Sequence, residues 1–125
     1  MTLAIVDDDD DVRQALSRLL RSLGHDVQVF GSAEDFEAGT VAVDCLIVDV
    51  RLPGLSGPEL RERLRSGPTP IPVVLITGDT DLKAGNISAA MDSPLLNKPF
   101  DGATLMAAIT DAVSSADGLR EGHAG

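Results

Sequence analysis

Short apolar runs alternate along this chain with longer stretches spaced in threes and fours. Leu3-Ala-Ile-Val6 is a continuous apolar run, as in a strand covered on both faces. Val12, Ala15, Leu16, Leu19, Leu20 and Leu23 then recur at helical spacing, and Gly24 closes that helix as the residue just past its end. Asp26–Phe30 reads as a second strand, and Ser32, with Asp35 three places on, starts a short helix in capping-box style. Asp44–Val50 holds the apolar run Cys45-Leu-Ile-Val48 and gives a third strand. "RLPGLSG" is a loop, after which Pro58 suits the first turn of a helix carrying Leu60 and Leu64. Val73–Thr77 is a fourth strand and Pro94-Leu-Leu96 a brief fifth. The last helix is expected from about Gly102 to Ser114, with Leu105, Ile109, Ala112 and Val113 on one face. Between strands four and five the helical signal is weak, because Gly85 and Asn86 fall where a helix interior belongs.

Strands that alternate with helices imply right-handed crossovers, so the pattern predicts an α/β fold: a doubly wound parallel sheet of five strands with helices on both faces. A single domain is expected over residues 1–115, followed by a flexible C-terminal tail over residues 116–125 that is small and polar. No internal repeat interrupts the reading.

Composition sharpens this picture in two ways. With 43% hydrophobic residues the chain has the material for a core, but Phe30, Phe36 and Phe100 are its only aromatics, so that core must be aliphatic. Ten basic residues against twenty acidic ones give a net charge of −10, which opposes binding to nucleic acid and to anionic membrane surfaces. No stretch has the length of a transmembrane helix or the make-up of a signal peptide, and the cytoplasm is the expected location. The single cysteine, Cys45, has no internal partner and reads as a small buried residue. His25, just past a helix-ending glycine, is expected to face solvent.

In a parallel sheet of this kind ligands bind beyond the carboxyl ends of the strands. Strand one ends in Asp7-Asp8, strand three in Asp49, strand four in Thr77, and strand five leads into Lys98. Carboxylates brought together there need either a raised pKa or a shared cation. Mg2+ suits hard oxygen ligands and keeps places open for water or phosphate, with Mn2+ as its substitute. One cysteine and two scattered histidines do not make a zinc site. A carboxylate beside Mg2+, a lysine and a hydroxyl is equipped to accept a phosphoryl group.

At these residues the chain resembles the receiver domain of two-component response regulators. The matching pieces are "IVDDD" after strand one, "LIVDVRLPGLSG" around Asp49, "VLITGD" at strand four and "NKPF" after strand five, in register over about Leu3–Val113. The resemblance implies the flavodoxin-like strand order 2-1-3-4-5. It makes Asp49 the phosphoacceptor, Asp7 and Asp8 the acidic pair for Mg2+, and the backbone carbonyl of Arg51 a further metal ligand. Thr77 becomes the switch hydroxyl and Lys98 the phosphate-binding lysine, with a cis Lys98–Pro99 bond. The partners implied are a sensor histidine kinase or a histidine phosphotransfer protein and an output protein as yet unknown, with no DNA binding by this domain.

Two other functions compete with this one. An aspartate-nucleophile phosphatase carries a second aspartate two residues after the first, where this chain has Arg51. A pseudo-receiver, the same fold used only for protein binding, has no need of the full set Asp7, Asp8, Asp49, Thr77 and Lys98. The chain also departs from the family. Leu95 stands where an aromatic residue is usual, Met91 where glycine is common, and the Thr77–Lys98 spacing looks about one residue short. Many regulators dimerise or contact outputs on that face, so a homodimer is open and a divergent readout is expected. The resemblance also places Arg51 and Asp79 beside the phosphoryl site, where they are expected to influence its lifetime.

Overall fold

The computed structural model describes residues 1–39, 42–50, 52, 54, 57–66, 71–77, 95–97 and 101–124. Among these residues nine elements follow in order: β1 (Thr2–Val6), α1 (Asp10–Ser22), β2 (Asp26–Phe30), α2 (Ala33–Ala38), β3 (Cys45–Asp49), α3 (Gly57–Ser66), β4 (Val73–Thr77), β5 (Leu95–Asn97) and α4 (Gly102–Ala124). The strands form one five-stranded parallel sheet in the order β2-β1-β3-β4-β5. The expected fold class is borne out, and each predicted strand is found within a residue or two of its expected bounds. The stretch between β4 and β5, with its weak helical signal, lies outside the described residues.

Period-two alternation along the strands builds the core in two layers. Leu3, Ile5, Ile47 and Ile76 face one side, where Leu16 and Leu20 of α1 and Leu105 and Ile109 of α4 close over them. Ala4, Leu46, Val48 and Leu75 face the other, against Phe36 of α2 and Leu60 of α3. Sheet residues buried on both faces explain the continuous apolar runs in the sequence. The core is aliphatic as composition required, Phe36 and the Phe30 ring that meets it edge-on (centroids 5.4 Å apart) being its aromatic element among the described residues.

Local chemistry sets the helix ends. Asp9 caps α1, its Oδ1 accepting the N–H groups of Asp11 (2.9 Å) and Val12 (3.3 Å), with Asp10 and Asp11 in the first turn. At the far end Gly24 takes φ +92°, and its N–H and that of His25 reach back to the carbonyls of Arg21 and Leu20. That pairing is a Schellman motif, which a glycine just past the helix end makes easy. His25 itself is half-buried, where solvent exposure was expected, and its Nδ1 lies 3.3 Å from the N-terminal ammonium. Ser32 caps α2 by accepting the Asp35 N–H at 3.0 Å. The last helix differs most from expectation. It runs to Ala124 rather than Ser114, through the segment expected to fray. Ala116, Leu119, Arg120 and Glu121 are good helix formers, and extending a helix costs far less than starting one. Among the described residues no helix is long and apolar enough to cross a membrane.

Candidate functional site

Parallel register brings the acids together. Val6 pairs with Val48, so Asp7, the next residue after β1, comes level with Asp49, the last residue of β3. Asp49 in turn pairs with Ile76, and Val50 donates its N–H to the Ile76 carbonyl at 2.8 Å, which sets Thr77 one step beyond Asp49 at the same edge. Asp7, Asp8 and Asp49 each offer a carboxylate oxygen, and these oxygens lie within 4.8 Å of one another. Asp7 and Asp49 are buried, as is Thr77, while Asp8 is exposed. Four of the residues assigned from sequence thus share the carboxyl edge of the central strands. Arg51 and Lys98 lie outside the described residues, as do Asp79, Met91 and the Lys98–Pro99 bond. Leu95 is the first residue of β5.

Asp7 is held from several directions. Its N–H continues the ladder to the Phe30 carbonyl (3.1 Å), and its Oδ1 accepts the Asp9 N–H at 2.9 Å. Its carbonyl accepts a hydrogen bond from Arg13 Nη1 at 2.6 Å. Arg13 Nη2 meanwhile pairs with Asp10 Oδ1 at 2.7 Å. Sequence reasoning missed this arginine. Its trace there is the Asp10–Arg13 spacing, a helical ion pair in form; the reach back to Asp7 is tertiary.

Three carboxylates this close repel one another unless other groups hold them or a cation joins them. The donor set fits Mg2+: hard oxygens only, two buried and fixed in the fold, with Asp8 on the solvent side. Cys45, at the other end of β3, takes no part in this set. It is fully buried, as expected, and loss of solvation pushes its thiol up to about 12. At the start of α4, Asp101 Oδ1 accepts the Thr104 N–H at 2.7 Å, which holds this exposed carboxyl below its usual range.

A doubly wound parallel sheet with acids gathered where its central strands end defines a flavodoxin-like domain. The family model of the response regulator receiver domain matches residues 3–110, and the chain belongs to that family. It is similar to the response regulator protein TmoT of Ectopseudomonas mendocina, with 38% identity over 126 residues, covering 94% of this chain and 54% of that protein. It is also similar to the transcriptional regulatory protein FixJ of Azorhizobium caulinodans, with 39% identity over 111 residues, 84% of this chain and 51% of FixJ. Among solved structures, the BeF3-activated DrrB receiver domain superposes with a TM-score of 0.78 at 26% identity, covering 90% of this chain and 97% of that one. The chain spans about half the length of the curated relatives it matches. Receiver domains are signalling domains of two-component systems rather than enzymes acting on a metabolite.

Proposed function

We propose that this domain accepts a phosphoryl group on Asp49 from a phosphohistidine of a sensor histidine kinase or histidine phosphotransfer protein, and that phosphorylation controls which protein it then engages. One observation carries the reading: the carboxylates of Asp7, Asp8 and Asp49 converge within 4.8 Å where β1 and β3 end. Asp7, Asp8, Asp49 and the backbone carbonyl of Arg51 would hold Mg2+ or, in its place, Mn2+. When bound, such an ion offsets the charge on the phosphoryl oxygens during transfer.

The remaining roles belong to the chain. An Asp49 carboxylate oxygen forms the new bond to phosphorus as the P–N bond of the donor breaks, and the electron pair of that bond returns to the imidazole. The register of β1 with β3 brings Asp49 level with Asp7 at the sheet edge, which supports this reading, and in-line approach of the donor to its carboxylate asks little of the protein beyond alignment. The Thr77 hydroxyl donates to a phosphoryl oxygen and the Lys98 ammonium pairs with another; both roles rest on the family resemblance. Arg51 and Asp79, which the family resemblance places beside the group, influence how long it survives. The DrrB receiver, named as activated by BeF3, supports a phosphoryl-type ligand for a domain of this fold. FixJ, named a transcriptional regulatory protein, supports an output in transcription when the domain is joined to a further one. A net charge of −10 favours protein partners over nucleic acid for the domain itself, and the exchange is assigned to the cytoplasm.

Intact mass after incubation with Mg2+ and a small phosphodonor tests the reading, with Asp49→Asn as control. One added phosphoryl group is expected, dependent on Mg2+ and absent from the control. No addition from the small donor or from a phosphorylated histidine donor would overturn the proposal.

A further inference from the structure

The acidic run Asp7–Asp11 poses a problem for a metal site. Five like charges in sequence push apart, yet the buried one, Asp7, must keep a fixed place beside Asp49 before any cation arrives. The two turns that meet at this point are tied by one side chain. Arg13 Nη1 donates to the Asp7 carbonyl at 2.6 Å, and its Nη2 donates to Asp10 Oδ1 at 2.7 Å. The guanidinium also lies against the turn after β2, where a Cβ on Gly31 would come 3.5 Å from Nη1. Asp10 is largely exposed, whereas the Arg13 side chain keeps only 19% of its surface. The arginine is therefore packed in place and the aspartate is drawn to it.

We propose that Arg13 is a positioning residue for the metal site. By gripping the Asp7 carbonyl with one prong and Asp10 with the other, it keeps the acidic turn folded onto the sheet edge while no cation is there. The Asp7 side chain, whose Oδ1 also accepts the Asp9 N–H, then stands ready beside Asp49. Arginine suits the task because its planar fork presents two donors in fixed relation, which a lysine ammonium on a flexible stem does not. The inference rests on the reading of Asp7, Asp8 and Asp49 as the Mg2+ site.

Charge and position predict opposite signs, which makes the test decisive. A guanidinium near a divalent site opposes the cation through space, so if charge were all, Arg13→Ala would tighten Mg2+ binding and Arg13→Lys would leave it unchanged. Positioning requires the reverse. Calorimetric titration of Mg2+ into the full chain and both variants, each checked for folding by circular dichroism, should show Arg13→Ala about tenfold weaker and Arg13→Lys weaker by less. In the metal-free protein the Asp9 amide should exchange with solvent several times faster in Arg13→Ala, since its acceptor on Asp7 is no longer held. Arg13→Lys decides the matter should Arg13→Ala fail to fold. Unchanged or tighter Mg2+ binding in a folded variant overturns the inference alone. Failure of the unsubstituted chain to bind Mg2+ overturns the metal reading and this inference with it.

Discussion

Strand β3 begins with one buried ionisable side chain and ends with another, and the fold treats them in opposite ways. Cys45 is fully buried in an apolar layer among Leu3, Ile5 and their neighbours, and desolvation holds its thiol neutral. Asp49, 8% exposed, comes within 4.8 Å of two further carboxylates. Burial alone thus says nothing about function. What separates the two ends is the company each keeps, and that follows from the direction of the strand. In a parallel doubly wound sheet ligands bind beyond the carboxyl ends of the strands, and there Asp49 meets Asp7 and Asp8, whereas Cys45 at the start of the strand lies within the apolar layer.

The comparison breaks most sharply at Asp49. Asp49→Asn should abolish phosphoryl uptake measured by intact mass and yet raise metal-free stability, by about 1 kcal/mol in urea unfolding, because removing one charge relieves its neighbours. Adding Mg2+ should reverse the order, stabilising the parent more than the variant. Loss of stability on Asp49→Asn without Mg2+ would show that the cluster is not held against repulsion. Two residues earlier, Ile47 is fully buried in the apolar layer with Leu3, Ile5 and Ile76. Ile47→Ala should cost about 3–4 kcal/mol through lost burial and the cavity left behind. The fraction that stays folded at low temperature should still take up one phosphoryl group.

The same contrast explains what was legible in the sequence. Continuous apolar runs such as Val73–Thr77 report burial on both sheet faces, so the strands were visible, and so was the set of acids at their carboxyl ends. Strand order was not in the spacing; it came with the resemblance to receiver domains. The apolar stripe of α4 stops at Val113, and a reading tied to that stripe stopped too. The helix itself runs to Ala124, because continuing one needs only adequate propensity and no buried face. Arg13 was hidden for another reason. A side chain that reaches back six residues to a main-chain carbonyl leaves no periodic signal. His25 is half-buried, and its ring lies 3.3 Å from the N-terminal ammonium, a contact across 24 residues that local polarity does not reveal.

Cys45 sharpens the other half of the comparison. Its folded value of about 12 lies above the ordinary 9.0, so the unfolded chain gives up this proton first as pH rises. The stability it lends is therefore complete below pH 9.0 and is lost between there and about 12. Cys45→Ala should flatten that part of the alkaline stability curve. At pH 8 a small alkylating reagent should leave Cys45 unmodified in the folded protein and label it quickly in denaturant. Rapid labelling of the native protein would show that the amino end of β3 opens as readily as a surface loop.

Asp101 supplies the smallest effect and the control for both ends, since it is a carboxyl with a hydrogen bond but without burial. The Thr104 N–H, 2.7 Å from its Oδ1, lowers its pKa below the ordinary 3.8. A depressed folded value means stability that is present above the unfolded pKa and lost as pH falls through the folded one. Asp101→Asn keeps an acceptor for the Thr104 N–H but removes the charge that favours a helix N-terminus. The parent should therefore be slightly more stable than Asp101→Asn at pH 6, and the two urea unfolding curves should converge below pH 3.8 as Asp101 takes up its proton. High salt should shrink the gap at pH 6, because the charge is exposed and screened. A gap that persists unchanged in acid would mean that the shape of the cap, and not its charge, holds the start of α4.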